Sequence, residues 1–318
     1  MMKRWVILLL ALQSIVVLAL AGWLFRVWRP PLLVALPPLH LVAALLLAVA
    51  AVFGVRLLLS LNNFHLSSRF GSATPDEYVL DAAGAVRLLL REFFSSMRVS
   101  SLDMLHPVGL QLVPQPQGLP VLLVHGYLCN SGYWRPLSAL LRRVGISHLA
   151  LDLEPLGAGI DDLAQQVQAG VARLCAATGS AQVVIVGHSM GGLVARAYVR
   201  RYGSAQVARV VTLGSPHEGT ALARFAPGRN GGQMRRGSAW LRDLAAAEAN
   251  LQRELFISMY SVHDNLIAPQ NSSHFGPARN LVFGGIGHVA LGRHPRVMEA
   301  VLAEVRRASV NLDKVPNS

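Results

Sequence analysis

Residues 187–191 read Gly-His-Ser-Met-Gly and lie between a run rich in β-branched residues and a helical stretch. The run 181–186 predicts a buried strand, and residues 191–202 have helical spacing. A strand that turns sharply into a helix strains the central residue and leaves no room for side chains on either side. The pattern predicts a nucleophile elbow with Ser189 at its tip; an ordinary glycine-rich turn is the alternative interpretation.

A serine hydroxyl is a weak nucleophile at neutral pH, so it needs a base within hydrogen-bond reach. Of the eleven histidines in the chain, four lie well beyond the elbow, after residue 260: His263, His274, His288 and His294. Residues 284–287, Gly-Gly-Ile-Gly, directly precede His288, and these glycines allow a loop to bend back over the elbow. We therefore predict that His288 is the base and that the other three are surface or core histidines.

The base needs an acid that orients it, and that acid should follow an earlier strand. Asp264 comes after the predicted strand 255–260 and 24 residues before His288. Glu218 and Asp243 are alternatives, but Glu218 adjoins the loop after an inner strand and Asp243 lies in a predicted helical excursion. We predict that Asp264 is the orienting acid.

Acyl transfer builds negative charge on a carbonyl oxygen, and two backbone N–H groups usually stabilise it. Met190 begins the helix after the nucleophile, and Tyr127 lies in the loop after the first core strand, so we predict these two as the oxyanion hole. In the same loop, we expect His125 to brace the backbone and Cys129 to be a partly buried, unreactive thiol.

These residues need a sheet whose strand ends meet, and the rest of the chain supplies the pattern for one. Predicted strands cover residues 121–124, 148–151, 181–186, 207–213, 255–260 and 281–283. Predicted helices cover residues 133–144, 160–178, 191–202 and 295–308. This alternation predicts an α/β fold with parallel strands and helices on both faces. Before it, residues 75–99 predict an amphipathic connector helix, and residues 107–120 a loop or weak edge hairpin.

The composition separates a leader from the rest of the chain. Hydrophobic residues make up 53% and charged residues 14% of 318, which excludes a disordered chain. All 17 acids follow residue 75, and six of the 29 Lys and Arg precede it, so the remainder carries 23 cations against 17 acids. Those cations are scattered, which argues against nucleic acid as a partner. Two cysteines, Cys129 and Cys175, do not indicate a disulfide framework.

The leader holds two stretches that are long enough to cross a bilayer, whose ~30 Å core takes about 20 helical residues. Residues 5–25 are uncharged, and residues 39–59 are interrupted only by His40 and Arg56. We predict a transmembrane hairpin with a turn at residues 26–31. A cleaved signal peptide followed by one anchor helix is the alternative.

The positive-inside rule gives an orientation for this hairpin. Two cations lie in the predicted turn, Arg26 and Arg29, and four lie on the other side: Lys3, Arg4, Arg56 and Arg69. This distribution favours a cytoplasmic catalytic domain. The membrane that we expect for the hairpin is a bacterial inner membrane.

Several segments together resemble the bacterial lipase and esterase branch of the α/β-hydrolase superfamily. They are His125-Gly126, the elbow at 187–191, residues 214–220, the Asp264 segment and Gly287-His288. The resemblance covers roughly residues 119–310 and implies an α/β-hydrolase fold with Ser189 as nucleophile, His288 as base and Asp264 as its orienter.

The chain departs from secreted lipases of this group, which often bind calcium through an acid two residues after the base. That position is Ala290, so we expect no metal or other cofactor. In position, residues 219–251 correspond to the family's lid, with a helical excursion over the sheet edge as the alternative.

The resulting expectation is a membrane-anchored serine hydrolase that cleaves carboxylic esters, lipid-like acyl esters above all, through an acyl-enzyme. The alternatives are a thioesterase, amidase or acyltransferase on the same fold, or a noncatalytic membrane scaffold. The predicted organisation is a hairpin at 1–62, a connector helix and loop at 63–118, a catalytic domain at 119–310 and a tail at 311–318.

Overall fold

The computed structural model describes residues 1–248, 255–276 and 278–312. The strands are β1 Leu110–Gln111, β2 Val121–Val124, β3 His148–Leu151, β4 Val183–His188, β5 Val207–Leu213, β6 Phe256–Ser261 and β7 Arg279–Phe283. The helices are α1 Met2–Val27, α2 Pro31–Val34, α3 Pro37–Phe70, α4 Ala82–Ser101, α5 Arg135–Arg143, α6 Ile160–Thr178, α7 Met190–Tyr202, α8 Gly228–Gln233, α9 Ala239–Ala246 and α10 Pro295–Leu312.

The strands form one sheet in the order β1-β3-β2-β4-β5-β6-β7. Strands β2 to β7 are parallel to their neighbours, and β1 pairs with β3 in the antiparallel direction at the edge. The predicted α/β architecture is confirmed. Because the inner strands are parallel, their carboxyl ends meet at one edge of the sheet, and the loops that follow β2, β4, β6 and β7 lie close together there.

Two apolar layers cover the sheet, which explains why its inner strands are continuous hydrophobic runs. Every residue of β2 and β4 is buried. One layer contains the buried faces of α6 and α7, with Leu163, Val167 and Leu193 fully or almost fully buried. The opposite layer contains the buried faces of α5 and α10, with Leu137 and Val301 fully buried. Helix α6 ends at Gly179, whose φ of 70° suits glycine.

Helices α1 and α3 form an antiparallel hairpin that lies beside the sheet rather than within its core. Both are long and apolar enough to cross a membrane, and only 11% of the most apolar 18-residue window of each is buried. At the turn, the His40 ring lies 4.5 Å from that of Phe25, and its Nε2 is 2.7 Å from the Trp28 carbonyl oxygen. The low burial distinguishes the two helices from the core helices of a soluble domain.

Helix α3 continues to Phe70, so the predicted boundary between hairpin and connector at residue 62 lies inside a helix. The apolar pattern ends near that residue, but the last two turns dock on the sheet domain. Ser67 is buried there, and its hydroxyl donates a hydrogen bond of 2.6 Å to the Asp264 carbonyl. The guanidinium of Arg224 lies 5.4 Å from the centre of the Phe70 ring. These contacts stabilise helix where hydropathy gives no signal.

The connector also differs in detail from its prediction. Asp76–Tyr78 form a single 3-10 turn, and α4 begins only at Ala82, because the Asp81 carboxylate accepts a hydrogen bond of 2.7 Å from the Gly84 N–H. Strand β1, within the residues predicted as a loop or edge hairpin, pairs with β3 and so belongs to the sheet. The predicted tail boundary at 311 is also displaced, since α10 extends to Leu312.

Candidate active site

Ser189 occupies a strained turn between β4 and α7. Its φ and ψ are 55° and −123°, in a region that non-glycine residues rarely adopt. A Cβ added to Gly187 would lie 2.7 Å from the backbone of Gly191, and one added to Gly191 would lie 2.2 Å from the Val124 carbonyl oxygen. Only glycine fits at both positions, so the backbone has the geometry of a nucleophile elbow.

The loops after β6 and β7 bring Asp264 and His288 together. The Nδ1 atom of His288 lies 2.7 Å from Oδ2 of Asp264, and both side chains are buried. The other carboxylate oxygen, Oδ1, accepts hydrogen bonds of 2.8 Å from the N–H groups of Leu266 and Ile267. The acid is thereby held in place by its own loop, and it selects the tautomer of His288 that carries a proton on Nδ1.

The environment of His288 favours its role as a base. Burial alone lowers the pKa of this imidazole, but the charge of Asp264 and the hydrogen bond to it outweigh burial, so the pKa is raised above its ordinary value. Asp264 occupies Nδ1 and leaves Nε2 for Ser189, which lines the same cavity. The alternative acids, Glu218 and Asp243, are exposed and do not contact this ring.

The three other candidate histidines lie outside this cluster. Nδ1 of His263 accepts a hydrogen bond of 3.0 Å from the Gly285 N–H. Nε2 of His294 accepts one of 3.0 Å from Arg91, and His274 is exposed. Of the four candidates, His288 is the one that the structure pairs with the predicted acid.

Tyr127 lines the same cavity as Ser189, and Met190 directly follows Ser189 in the chain. Met190 is the first residue of α7, where N–H groups have no partner within the helix. Tyr127 precedes Leu128, whose positive φ of 50° turns the loop sharply. The Tyr127 hydroxyl donates a hydrogen bond of 2.7 Å to the Pro227 carbonyl. Within the part of the chain that the structure describes, neither the Tyr127 nor the Met190 backbone N–H donates a hydrogen bond.

His125 holds the loop that carries Tyr127. Its Nε2 accepts a hydrogen bond of 2.9 Å from the Leu153 N–H, so its proton lies on Nδ1, which donates one of 2.8 Å to the Gly126 carbonyl. Burial lowers the pKa of this ring and keeps it neutral. The contacts agree with the expected bracing role.

His188, the residue before the nucleophile, has a function that its sequence position did not indicate. Its ring stacks on that of Tyr133 at 4.4 Å, and its Nε2 donates a hydrogen bond of 3.0 Å to the His288 carbonyl. Burial, together with the nearby His288 imidazole, lowers the pKa of His188 well below its ordinary value. A neutral, donating His188 therefore joins the nucleophile turn to the base loop.

A cavity of about 710 Å³ opens in front of Ser189. Its walls include side chains from α3 and α4: Asn62, Asn63, Leu66, Ser96, Val99 and Ser100. Cys129 also lines the cavity, and burial raises the pKa of its thiol to about 12, so it stays protonated. The helical hairpin and the connector thus build part of the candidate active site.

The predicted lid segment contributes to this cavity through its first half. Phe225 and Met234 line the cavity, whereas Leu241 packs in the core and Trp240 lies against it. The segment therefore combines both interpretations, with a cavity wall in the first half and sheet cover in the second. Residues 249–251 of the predicted lid lie outside the described residues.

Two side chains that contact the loops of Asp264 and His288 were not among the predicted site residues. Ser67 in α3 binds the Asp264 carbonyl, and Glu92 in α4 binds the loop that follows His288. For Ser67 the sequence holds no signal. For Glu92 it does: a lone acid lies four residues after the buried Leu88, on the apolar stripe of an amphipathic helix.

Comparison with known proteins finds similarity within the sheet domain. Residues 120–266 match the family described as alpha/beta hydrolase fold. A triacylglycerol lipase of Pseudarthrobacter phenanthrenivorans is 34% identical over 114 residues, covering 33% of this chain and 35% of the lipase. A triacylglycerol lipase of Burkholderia plantarii is also 34% identical over 114 residues, covering 33% of this chain and 32% of the lipase. The chain spans about a third of the length of these curated relatives.

Solved structures agree on the fold. The mature form of a Bacillus licheniformis lipase has a TM-score of 0.55 at 17% identity, covering 61% of this chain and 96% of that chain. Aspergillus fumigatus lipase B has a TM-score of 0.52 at 15% identity, covering 60% of this chain and 54% of that chain. The sheet domain has the α/β-hydrolase fold, and the resemblance to lipases and esterases is confirmed.

Proposed function

We propose that this chain is a membrane-anchored serine hydrolase that cleaves lipid-like carboxylic esters through an acyl-enzyme. The observation that carries the proposal is the strained Ser189 turn, which shares one cavity with His288, the imidazole that is hydrogen-bonded to Asp264. The curated relatives named triacylglycerol lipase support an ester as the substrate.

The first chemical step is attack by the Ser189 hydroxyl oxygen on the ester carbonyl carbon. Nε2 of His288 takes the hydroxyl proton as the C–O bond forms, and then gives it to the departing alcohol. Asp264 stabilises the imidazolium that exists between these transfers, because its Oδ2 is already bonded to Nδ1. Water then attacks the acyl-enzyme with the same histidine as base, which releases the acid and restores Ser189.

The tetrahedral intermediates carry a negative oxygen, and the N–H groups of Tyr127 and Met190 are the proposed donors to it. Both belong to ordered backbone at the mouth of the sheet, so they do not have to reorient as charge develops. The amino-terminal end of α7 also favours an anion at this position.

A lipid-like substrate is supported by the position of the cavity relative to the hairpin. Helix α3 has 34 residues and is about 51 Å long at 1.5 Å per residue, which exceeds the ~30 Å core of a bilayer. Its apolar run ends next to Asn62 and Asn63, which line the cavity. A hairpin that spans the bilayer would therefore place the cavity at the membrane surface, within reach of acyl chains.

The hairpin contacts also bear on orientation. The amino terminus contacts Glu154, and the far end of α3 contacts Asp264, so both ends of the hairpin meet the sheet domain on one side of the membrane. This side holds more of the leader's cations than the turn does, which favours a cytoplasmic sheet domain. A green fluorescent protein fused to the carboxyl terminus should fluoresce, and activity of alkaline phosphatase fused there would contradict this orientation.

Labelling with a fluorophosphonate tests the nucleophile in the full chain, purified in detergent. The wild type should be labelled and Ser189→Ala should not, while Ser215→Ala should retain labelling because Ser215 lies outside the cavity lining. Equal labelling of wild type and Ser189→Ala would show that another residue is the nucleophile. Unlabelled wild type would favour a noncatalytic scaffold.

A substrate panel tests the leaving group and the acyl chain. It should include short and long p-nitrophenyl esters, phospholipids, acyl thioesters and an acyl amide, each presented to the full chain in detergent micelles. We expect long-chain esters to have the highest kcat/KM. Preference for short soluble esters would contradict the lipid-like substrate, and preference for the thioester or amide would change the reaction class.

A further inference from the structure

The connector helix α4 places a buried carboxylate directly behind the candidate base. Glu92 is 2% exposed. Its Oε1 accepts a hydrogen bond of 2.8 Å from the Val289 N–H, and its Oε2 accepts one of 3.0 Å from the Ala290 N–H. These are the two residues that follow His288, so both carboxylate oxygens bind the backbone of the base loop.

The approach of Glu92 to this loop leaves no spare space. A Cβ added to Gly287, the residue before His288, would lie 2.5 Å from Oε2 of Glu92. The His288 N–H itself donates a hydrogen bond of 2.9 Å to Oδ1 of Asn265. Consecutive backbone N–H groups from 288 to 290 are therefore all bonded to side chains, and Glu92 provides two of the three acceptors.

The helix that carries Glu92 is itself held by the hairpin. The ring of Phe93 meets that of Phe53 in α3 edge to face, at a centroid distance of 6.4 Å. One guanidinium nitrogen of Arg56, also in α3, donates hydrogen bonds of 3.0 Å to the Ser100 hydroxyl and the Met97 sulfur. One face of α4 thus packs on the hairpin while Glu92 projects into the base loop.

We propose that Glu92 is a positioning residue for the candidate base: its carboxylate fixes the loop that presents His288 to Ser189. The inference rests on the proposed hydrolase function of this site. Glu92 touches neither a substrate nor a reacting atom, so it acts only through His288. It lies outside residues 120–266, the part of the chain that matches the hydrolase family.

The charges around Glu92 give this role a measurable signature. The titratable groups that face it are His288, Asp264 and the Tyr133 hydroxyl. Burial raises the pKa of Glu92 to about 7, although the two backbone hydrogen bonds and His288 act in the opposite direction. The anion of Glu92 in turn raises the pKa of His288. We therefore expect two ionisations, those of Glu92 and His288, to shape the acid limb of activity in the wild type.

The experiment measures the rate of fluorophosphonate labelling of Ser189 against pH, in the full chain in detergent. Glu92→Gln keeps the shape of the side chain but has one acceptor oxygen and no charge. We expect its labelling rate at pH 8 to fall at least tenfold. Because the charge that raises the His288 pKa is lost, we expect the acid limb to move to lower pH and to fit a single ionisation.

Glu92→Asp retains the charge on a shorter side chain and should recover part of the rate, with the acid limb near its wild-type position. Glu299→Gln removes an exposed carboxylate from α10 and should match the wild type in both respects. If Glu92→Gln does not fold, as judged by thermal unfolding, Glu92→Asp decides the question. A wild-type rate in Glu92→Asp would then overturn the proposal.

A folded Glu92→Gln with the wild-type rate and an unmoved acid limb would also overturn the positioning role. So would a slower variant whose acid limb is unchanged, because a purely structural glutamate would produce that result. Absence of labelling in the wild type would instead refute the proposed function, so the two failures are distinguishable.

Discussion

The sheet and the N-terminal hairpin differ in how much of their apolar surface is buried. Every residue of β2 and β4 is buried, whereas only 11% of the most apolar window of α1 and of α3 is buried. The sheet domain supplies the candidate nucleophile, base and acid: Ser189, His288 and Asp264. The hairpin supplies none of them. Burial alone would assign chemistry to one region and membrane attachment to the other.

The contacts between the regions do not follow that division. Ser67 in α3 binds the Asp264 carbonyl, and Glu92 in α4 binds the loop after His288. The same two helices line the cavity in front of Ser189. A region without candidate catalytic residues can therefore still determine where such residues lie. We expect the proposed membrane attachment of the hairpin and the activity of the sheet domain to be coupled in this chain.

The largest expected effect lies wholly within the sheet domain. Asp264→Asn should lower kcat for ester hydrolysis by roughly 10⁴-fold, because an amide no longer selects the His288 tautomer with its proton on Nδ1. Steady-state kinetics with a p-nitrophenyl ester measures this. Asp243→Asn, at an exposed site in α9, is the control. A loss below tenfold would mean that another acid orients His288.

The second prediction removes the hairpin's own contact with the acid. Ser67→Ala should destabilise the protein by about 1–3 kcal/mol, because it deletes a buried hydroxyl that bonds both the Asp264 carbonyl and the Gln270 side chain. Chemical unfolding in detergent measures the loss. Ser68→Ala is the matched control, since Ser68 is exposed and, among the described residues, its hydroxyl bonds only the His65 carbonyl of its own helix. Equal losses of unfolding free energy in the two variants would show that the Ser67 contact does not stabilise the docking of the hairpin on the sheet domain.

The pH profile tests how strongly the acid acts on the base. His288 must be neutral to accept a proton, and its pKa is raised above 6.5 because Asp264 outweighs burial. Activity should therefore be full at pH values above the raised pKa and should fall by at least tenfold per pH unit below it. The dependence of kcat/KM on pH measures this limb. A limb centred below pH 6 would contradict the raised pKa.

The smallest expected effect concerns the contact between hairpin and connector. Ser100→Ala removes one acceptor of the Arg56 guanidinium and should cost about 0.5–1.5 kcal/mol in unfolding free energy, with a small decrease in kcat. Ser60→Ala is the control, because within the described part of the chain the Ser60 hydroxyl bonds only the Arg56 carbonyl of its own helix. A loss in Ser100→Ala no greater than in Ser60→Ala would show that this contact does not couple the regions.

Much of the sheet domain could be predicted because its signals are local. The predicted bounds of helix α6 and of strands β2, β3 and β5 match the structure, since amphipathic periodicity and β-branched runs are properties of short segments. The elbow could also be located, because the steric demand at Gly187 and Gly191 restricts residue types over five positions. The catalytic roles assigned from this pattern stay predictions until they are measured.

The remaining features depend on partners distant in the chain. Strand β1 has two residues, too few to show a period of two, and it forms only because β3 is beside it. Ser67 and Glu92 lie almost 200 residues before the loops that they bind. A glutamate in an amphipathic helix is usually exposed, so one sequence does not reveal that the partner of Glu92 is a pair of buried N–H groups.

The unbroken course of α3 from the turn to Phe70 restricts how the gene can change. One residue inserted within α3 before Ser67 would rotate the end of the helix by about 100° and advance it by about 1.5 Å, which would turn the hydroxyl away from the Asp264 loop. Length variation among descendants of this chain should therefore concentrate near residues 28–36, and swapping the leader for an unrelated anchor should yield an inactive chimera.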